Sequence, residues 1–297
     1  MDVQSGPKKV HRRNWGMKLL VFGSSGFLGS HLMRVASAGD SNELSVTGIS
    51  EKFRSEPEIQ ALNLEGLDVI IYCAALANLE DCEKNPEYAF WVNSEIPRLL
   101  CQKIRGTKTK FVYISTDAVF DGSKSFVEEQ DSTNPKSVYG KSKLQGEENV
   151  SGLDMHNLIC RVNFFGSSPK NNSLFDYFYE NLIEKKKTKG FSNIFFTPIS
   201  AITLSGTILD LIKAQASGIY HVCGSERISK LDFGVMIEQL LLGSSGLVEP
   251  FSFTQAPSSP VRSLDLSMSI KKLTNLGISL PPLSSQLIET IEKRRII

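Results

Sequence analysis

Residues 18–29 read KLLVFGSSGFLG, and this stretch decides the fold of the chain. The apolar run at 18–22 is typical of a buried parallel strand, and the apolar residues that follow, up to Val35, have helical spacing. Gly39 and Asp40 are predicted to end that helix. A glycine-rich turn between a strand and a helix N-terminus aims backbone N–H groups and the helix dipole at an anion. The stretch therefore predicts a site for the diphosphate of a dinucleotide.

The glycines of this turn have the spacing G-x-x-G-x-x-G. An ordinary tight turn is the alternative interpretation, because a glycine triplet alone has low specificity. The position between the first strand and the first helix favours dinucleotide binding. The residues expected to contact the cofactor here are Gly23, Ser25, Gly26, Phe27, Leu28 and Gly29.

A second strand signal, FVYISTD at residues 111–117, ends in hydroxyl side chains. Open parallel sheets bind ligands at the carboxyl ends of their strands. We therefore expect Thr116 to reach the same crevice as the glycine-rich turn, where its hydroxyl can donate a hydrogen bond to a substrate oxygen. The alternative is a hydroxyl that caps the following turn, a role that suits Ser115.

Tyr139 and Lys143 lie four residues apart in the segment VYGKSK, which places both side chains on one face of a helix. A phenol with a pKa of about 10 is a poor acid–base catalyst at neutral pH. A nearby ammonium favours the phenolate and lowers that pKa. The pair suits proton transfer to a carbonyl oxygen or from an alcohol, although the same spacing also occurs by chance on solvated helices.

These three features occur in the order typical of extended short-chain dehydrogenases/reductases, and the chain resembles that family from about Met17 to its C-terminus. Within the family, the likeness is greatest to the dTDP-4-dehydrorhamnose reductases. The segment STDAVFDG at residues 115–122 is the most specific, because it separates this branch from most sugar-nucleotide epimerases and dehydratases. The other matching segments are residues 21–29, 73–75, 81–83, 92–93, 139–143, 146–147, 218–221 and 262–267.

The resemblance implies a Rossmann-like, doubly wound parallel α/β sheet with a smaller C-terminal substrate-binding lobe. It also implies catalytic roles for Thr116, Tyr139 and Lys143. Tyr139 would give its proton to the alkoxide that forms when NADPH or NADH delivers hydride. Lys143 would lower the phenol pKa and hold the nicotinamide ribose, and Thr116 would hydrogen-bond the carbonyl oxygen. Further expected contacts are Cys73, Ala74, Ala75, Tyr139 and Lys143 for the cofactor, and Thr116, Asn163 and Arg262 for the substrate.

Strand and helix signals alternate along the chain, as in a parallel α/β sheet. Strands are predicted at 18–22, 45–49, 68–73, 110–115, 157–162 and 218–222, and helices near 27–38, 86–105, 139–150, 203–214 and 230–242. We expect a NAD(P)-binding domain formed by residues 17–166 plus 201–222. Residues 167–200 plus 223–297, rich in Ser, Pro and Phe, are expected to form an irregular substrate-binding lobe. The basic residues 1–16 are expected to be a disordered tail.

The region after the second strand departs from the family pattern. The segment from 49 to 67 is short, so the crossover helix there is expected to be reduced or missing. Ser50 lies where an acidic residue would bind the ribose hydroxyls of NAD. Lys52 and Arg54 are near enough to bind the 2′-phosphate of NADP, which makes NADP the expected cofactor and NAD the alternative. Ordinary loop charges are the other interpretation of these two cations.

The composition fits a soluble enzyme, since 41% of the 297 residues are hydrophobic and the net charge is +1. A near-neutral charge gives no support for nucleic-acid binding, and no apolar run has membrane-spanning length. The five cysteines show no C-x-x-C motif and no paired spacing. This usage predicts a reducing, cytoplasmic compartment with neither structural disulfides nor a metal site.

The sequence therefore predicts an NAD(P)H-dependent reductase of a nucleotide-linked 4-keto-6-deoxy sugar, with a homodimer as one assembly to consider. A regulatory subunit such as the β subunit of methionine adenosyltransferase is a second reading, because the same resemblance covers it. A sugar-nucleotide epimerase or dehydratase is a third. Asp117 has an acidic side chain next to Thr116, but Ala118 follows where a dehydratase tends to carry a second acid.

Overall fold

The computed structural model describes residues 16–38, 44–244, 246–255 and 261–296. Residues 1–15 of the expected basic tail, and the helix end expected at Gly39 and Asp40, lie outside the described residues. Within those ranges, no helix is long and apolar enough to cross a membrane.

Strands and helices alternate along most of the described chain. The strands are β1 (Met17–Phe22), β2 (Leu44–Ile49), β3 (Val69–Tyr72), β4 (Lys110–Thr116), β5 (Leu158–Val162), β6 (Phe164–Phe165), β7 (Thr188–Phe191), β8 (Phe195–Phe196), β9 (Ile199–Ser200), β10 (Gly218–Val222), β11 (Ile228–Ser229) and β12 (Val248–Phe251). The helices are α1 (Phe27–Ser37), α2 (Glu56–Gln60), α3 (Leu79–Lys84), α4 (Pro86–Phe90), α5 (Ile96–Lys103), α6 (Val138–Leu153), α7 (Leu174–Ile183), α8 (Ala201–Lys213), α9 (Lys230–Leu242), α10 (Lys271–Asn275) and α11 (Leu283–Ile296). A π-helical turn (Trp91–Glu95) joins α4 to α5, and a 3₁₀ turn (Asp117–Val119) follows β4.

Six strands form one parallel sheet in the order β10-β5-β4-β3-β1-β2. All six strands predicted from the sequence occur in it, so the predicted doubly wound α/β fold is confirmed. After β1 the chain crosses to β2 at one edge and then returns to β3 on the other side of β1. The strand order therefore reverses between β1 and β3, and such a reversal opens a crevice at the carboxyl ends of the strands.

Alternate residues of β1 contribute to two hydrophobic clusters, one on each face of the sheet. Leu19 and Val21 pack in a cluster with α1 and α8, while Leu20 and Phe22 pack in a cluster with α2, α5 and α6. Because helices cover both faces, the strand is continuously apolar instead of alternating between polar and apolar residues. Each fully buried Leu or Phe side chain contributes about 1.5–3 kcal/mol to stability.

The helix predicted over residues 86–105 is present, but the π-helical turn divides it into α4 and α5. Pro97 is the physical reason, because it has no backbone N–H to donate to the carbonyl of Asn93. That carbonyl instead accepts a hydrogen bond of 2.5 Å from the Tyr113 hydroxyl. The segment between β2 and β3 contains only the short α2, in agreement with the predicted reduction of the crossover helix.

The prediction that residues 167–200 and 223 onward are irregular, α9 apart, is wrong. α7 and α11 are regular helices, and together with α9 they enclose a cluster rich in phenylalanine. The rings of Phe165 and Phe233 make an edge contact with 5.1 Å between their centres. Phe175, Phe178 and Leu182 of α7 have helical spacing and are fully buried. The Phe-rich composition was interpreted as loop, whereas its spacing is that of helices around an aromatic core.

Gly29→Ala should destabilise the fold. An added Cβ at this position in α1 would lie 2.1 Å from the carbonyl oxygen of Gly23, so the helix or the turn would have to move. We expect the free energy of unfolding to fall by about 1–3 kcal/mol, measured by urea denaturation.

Gly152→Ala in α6 is the matched control, because nothing lies within 4 Å of its added Cβ. Removing a helical glycine there should raise the stability by up to about 1 kcal/mol. If the two variants were equally stable, the close packing of α1 on the glycine-rich turn would be contradicted.

Candidate active site

A cavity of about 560 Å³ lies along the carboxyl ends of β1, β3 and β4. It brings together most of the residues predicted to bind the cofactor or to act in catalysis. Those in its wall are Gly23, Ser25, Gly26, Phe27, Leu28, Ser50, Lys52, Cys73, Ala74, Ala75, Thr116, Tyr139 and Lys143. Two predicted residues, Gly29 and Arg54, are not part of this wall.

The glycine-rich turn has the geometry that a dinucleotide diphosphate requires. Gly23 has a φ of +76°, and an added Cβ would lie 2.7 Å from the backbone nitrogen of Ala74. α1 begins after Gly26, which has no side chain that could cap the helix, and the first turn of α1 has no acidic residue. The first N–H groups of α1 are therefore open to an anion in the cavity. Gly29 has a different role, because it lets α1 pack on the turn.

The residues after β2 place charges of both signs in the cavity wall. Ser50, Glu51 and Lys52 line the cavity. Arg54 is exposed outside it, and its backbone N–H donates to Glu58 Oε2 at 2.8 Å. The two cations predicted for 2′-phosphate binding are thus separated, and only Lys52 lies in the wall. Glu51, which the sequence-based interpretation left without a role, adds a carboxylate beside it.

The loop after β3 is held in place by Asn93 of the π-helical turn. The Asn93 Nδ2 donates to the Leu76 carbonyl at 3.0 Å, and Oδ1 accepts from the Leu76 N–H at 3.0 Å. Nδ2 also donates to Ser142 Oγ on α6 at 2.9 Å. Asn93 is fully buried. These bonds fix the cofactor-side loop against α6, the helix that carries Tyr139.

Thr116 lies beside Tyr139 in the first cavity and contacts a buried carboxylate. The Thr116 hydroxyl donates to Asp117 Oδ1 at 3.0 Å. Asn163 Nδ2 donates to the other carboxylate oxygen, Oδ2. The Thr116 oxygen also accepts a backbone N–H of the following 3₁₀ turn at 3.2 Å. Thr116 therefore has the capping role that suited Ser115 in the sequence.

Burial raises the pKa of Tyr139 above its ordinary value. The hydrogen bond with Thr116 opposes this change, and the charges of Asp117 and Cys82 add to it. The expectation that Lys143 lowers the phenol pKa is not met in this structure, because Lys143 is not among the groups that act on Tyr139. The phenol therefore stays protonated at neutral pH in this structure.

Burial also raises the pKa of Asp117, to about 6. Hydrogen bonds from Thr116 and Asn163 oppose the shift, as does the positive charge of Lys230. The carboxyl is only 8% exposed. Asp117 therefore gains or loses its proton near neutral pH, next to the Thr116 hydroxyl.

Lys143 is 1% exposed and makes its contacts at the end of β4. Its Nζ donates to the Ile114 carbonyl at 2.5 Å and lies 4.1 Å from the centre of the Tyr113 ring. Burial lowers the pKa of Lys143 to about 7, while the charges of Glu147 and Cys73 oppose the change. The charge of this side chain is therefore sensitive to whatever the cavity holds.

A buried ion pair lies one helical turn beyond Lys143. Arg161 Nη2 donates to Glu147 Oε2 at 2.7 Å and Arg161 Nε donates to Oε1 at 3.0 Å, and each side chain is 3% exposed. The Ser115 hydroxyl also donates to Glu147, at 2.5 Å. Ser115 thus supports the ion pair and does not cap the turn after β4.

A second cavity, of about 290 Å³, adjoins the first, and Phe164 lines both. Its wall contains Asn163 and Arg262, the other two predicted substrate contacts, together with Asp117 and Lys230. Burial and the charge of Arg262 lower the pKa of Lys230, whose ammonium has no hydrogen bond or ion pair to any described residue. The apolar part of the wall comprises Leu79, Ala118, Phe164, Leu174, Ile194, Phe195, Phe196, Val261 and Leu266.

Sequence reasoning missed several residues of these cavities. Asp117 belongs to the most specific segment, and its position directly after Thr116 is a local signal for a site residue. Lys230 begins α9 and belongs to no motif, so its position in the second cavity follows only from tertiary packing. Tyr88 lines the first cavity and likewise has no local signal.

Glu147→Gln should strongly destabilise the protein, because it leaves the Arg161 guanidinium buried without a carboxylate. We expect the free energy of unfolding to fall by about 3–5 kcal/mol. Glu95→Gln is the control, since its ion pair with Arg98 lies at the surface, with side chains 36% and 30% exposed. That change should lower the stability by less than about 1 kcal/mol. Similar small losses in both variants would contradict the role given to the buried pair.

The raised pKa of Asp117 should make stability depend on pH. The folded-state pKa of about 6 exceeds the unfolded value of about 4. The stability contributed by this group is therefore complete below about pH 4 and is lost as the pH rises to about 6. Two pKa units correspond to about 3 kcal/mol. Urea denaturation at about pH 4 and about pH 7 should show a loss of this size in wild type relative to Asp117→Asn, and parallel profiles would contradict it.

Comparison with known proteins places the chain in a family. A family model described as the RmlD substrate binding domain matches residues 17–296. A probable low-salt glycan biosynthesis reductase of Haloferax volcanii is 32% identical over 200 residues, which cover 66% of this chain and 67% of that protein. The methionine adenosyltransferase 2 subunit beta of Xenopus tropicalis is 28% identical over 290 residues, covering 89% of this chain and 83% of that protein.

Solved structures agree with this assignment. A dTDP-4-dehydrorhamnose reductase ortholog from Clostridium acetobutylicum has a TM-score of 0.83 at 27% identity, over 94% of this chain and 100% of that chain. The dTDP-4-dehydrorhamnose reductase of Bacillus anthracis, solved in complex with NADP, shares the fold with a TM-score of 0.84 at 22% identity, over 94% of this chain and 98% of that chain. Because the family model matches nearly the whole chain and the fold is shared, the chain belongs to the RmlD substrate binding domain family, within the extended short-chain dehydrogenases/reductases.

Proposed function

We propose that this protein is an NAD(P)H-dependent reductase of a nucleotide-linked 4-keto-6-deoxy sugar, similar to dTDP-4-dehydrorhamnose reductase, in nucleotide-sugar and polysaccharide biosynthesis. The observation that carries the proposal is that Tyr139, Thr116 and Lys143 line the first cavity, while Asp117, which accepts the Thr116 hydroxyl, lines the second. Relatives named as reductases of such sugars or of glycan biosynthesis support it.

The first cavity fits the cofactor. Backbone N–H groups in the first turn of α1, at Phe27 and Leu28, would bind the diphosphate, and Lys52 would bind the 2′-phosphate of NADP. Glu51 lies in the same wall and could hydrogen-bond the ribose of NAD, which keeps NAD as the alternative. The bound nicotinamide supplies the hydride, and the protein supplies its position.

Tyr139 is the proton donor in this proposal, because burial holds its phenol protonated. The phenol gives its proton to the oxygen of the reduced carbonyl group and becomes a phenolate. The Lys143 ammonium lies in the same cavity, where it binds the cofactor ribose. Thr116 lies beside Tyr139 in the cavity wall, and Asp117 orients the Thr116 hydroxyl by accepting its hydrogen.

The second cavity fits a sugar nucleotide. Lys136, Lys230 and Arg262 place three positive charges in its wall, and a diphosphate is the part of such a substrate that would neutralise those of Lys230 and Arg262. Aromatic side chains beside them, including Phe195, offer surfaces on which a base can stack. Asn163 and Asp117 lie toward the first cavity, where their polar atoms would orient the sugar.

The same proposal includes the division into domains, the location and the assembly of the protein. Residues 17–166 plus 201–222 form the NAD(P)-binding domain, and residues 167–200 plus 223–297 form the substrate lobe. The protein acts in the cytoplasm, with a homodimer as a candidate assembly and without nucleic-acid or membrane partners. The near-neutral net charge of +1 is consistent with this setting.

A non-catalytic regulatory subunit is the second candidate function. It is favoured by the 28% identity to a methionine adenosyltransferase β subunit across 89% of this chain. A shared fold does not decide between the two. Tyr139, Thr116 and Lys143 are all present and lie in one cavity, which favours the enzyme. Oxidation of NADPH by the purified protein in the presence of a keto-sugar nucleotide distinguishes them.

Tyr139→Phe should abolish most of the activity while leaving binding intact, because it removes only the transferable proton. We expect kcat to fall by about 10²–10⁴-fold, with dissociation constants for NADPH and substrate close to those of wild type. The measurement is NADPH oxidation with a dTDP-4-keto-6-deoxy sugar. Tyr220→Phe is the control, since Tyr220 is part of β10 and lines neither cavity. Equal turnover in wild type and Tyr139→Phe would overturn the proposed mechanism.

Lys52→Ala should weaken the binding of NADPH but not of NADH. Lys52 lies in the cavity wall, so its removal takes away a charge-assisted contact to the 2′-phosphate, worth about 1.5–3 kcal/mol or roughly tenfold or more in affinity. Arg54→Ala is the matched control, because Arg54 is exposed outside the cavity. Fluorescence titration with both cofactors measures the effect. A loss in Arg54→Ala equal to that in Lys52→Ala would refute the assignment.

A further inference from the structure

We propose that this protein has a second anion-binding site, apart from the two cavities above, which takes the phosphate group of a small molecule. The site is a cavity of about 330 Å³ between α1, the loop at residues 166–172 and α11. It has no lining residue in common with the cofactor or substrate cavities. The residues that carry the proposal are His31 and Arg34 of α1, and Lys293 and Arg294 of α11.

The charge of this cavity favours an anion. Three cations, Arg34, Lys293 and Arg294, line it, and no carboxylate does. Lys293 is paired with Glu289 at 2.7 Å and Arg294 with Glu180 at 2.6 Å. Arg34 has no carboxylate partner among the described residues. Among the described residues, the wall therefore carries cations and no carboxylate, and a metal cation would find no carboxylate ligand in it.

His31 adds a polar group to the wall of the same cavity. Its side chain is 5% exposed, and its Nδ1 lies 2.9 Å from the Phe27 carbonyl oxygen, so Nδ1 carries the hydrogen and donates it. Nε2 then carries a lone pair and has no hydrogen-bond partner in the described part of the chain, so a ligand in the cavity can donate a hydrogen bond to it.

A phosphate group satisfies both observations at once. Its protonated oxygen can donate to His31 Nε2, while its charged oxygens accept from Arg34 and from the free hydrogens of Lys293. The nearby hydroxyls are already committed, since Ser30 donates to the Phe27 carbonyl and Thr290 to the Gln286 carbonyl. The charged side chains would therefore dominate recognition.

Phosphate binding should be coupled to the protonation of His31. The charged groups around it are Arg34 on its own helix and Lys293 and Arg294 on α11, with Glu289 and Glu180 behind the latter two. On the side of the loop, the Ser167 and Ser168 hydroxyls donate hydrogen bonds to the Asp176 carboxylate. Burial lowers the pKa of His31, as do the charges of Arg34 and Lys293, while the hydrogen bond to Phe27 raises it. A bound dianion offsets the two cations, so it raises the pKa of His31.

The test is NMR of the full chain saturated with NADPH, so that added phosphate does not report on the cofactor cavity. The chain has four histidines, and the His31 ring signal is identified by its loss in His31→Gln. Inorganic phosphate should shift this signal in a saturable way and raise the pKa of His31 by about one unit or more. Arg34→Gln should weaken phosphate binding by about tenfold or more.

Arg105→Gln is the matched control, because Arg105 is exposed and lies in none of the three cavities. It should leave the phosphate response unchanged. Thymidine 5′-monophosphate is a second probe: tighter binding than inorganic phosphate assigns the site to a nucleotide, and equal binding assigns it to free phosphate. The proposal is overturned if chloride at equal ionic strength has the same effect, if Arg34→Gln responds like Arg105→Gln, or if the signal follows protein concentration instead of phosphate. Because the readout is the His31 signal, the outcome does not depend on the proposed reductase activity.

Discussion

The close approach of the backbone at Gly23 to that at Ala74 is the constraint on which the rest of this structure depends. No side chain fits between them, because a Cβ on Gly23 would lie 2.7 Å from the Ala74 nitrogen. The contact occurs where the strand order reverses between β1 and β3, and it brings the glycine-rich turn and the loop after β3 into one cavity. Asn93 then fixes that loop to α6, so the anion site and Tyr139 are positioned by one continuous framework.

Burial sets the proton chemistry inside this framework. It raises the pKa of Tyr139 and of Asp117, and it lowers the pKa of Lys143 to about 7. All three changes favour the neutral form of the group, as expected when charges leave water. The Glu147–Arg161 pair remains buried because its two charges satisfy each other and Ser115 adds a further hydrogen bond. The low polarity of the site, and not a contact between Tyr139 and Lys143, therefore sets the protonation of these groups.

The sheet was predictable because each of its strands is a short apolar run with a local signal at its end. The turn at Gly23 and the spacing of Tyr139 and Lys143 are also local patterns, and both were assigned to the same cavity before the fold was known. The lobe was not predictable in the same way, since the Phe residues of α7 were interpreted by composition and not by spacing. Lys230 could not be found at all, because its burial beside Arg262 depends on how α9 packs. Arg54 and Lys52 look equivalent in sequence, and only the path of the chain after β2 separates them.

The destination of the hydride is the most direct test of the proposal that these two cavities serve one reduction. Wild-type protein is mixed with NADPH deuterated at the transferable position and with a dTDP-4-keto-6-deoxy sugar, and the sugar product is examined by mass spectrometry and NMR. We predict one deuterium on the carbon that carried the keto group, with one NADP⁺ formed for each labelled product. Conversion of the sugar with all deuterium left in the cofactor would indicate an epimerase or a dehydratase. Cofactor binding without conversion of any keto-sugar nucleotide would contradict the reductase and favour a regulatory subunit.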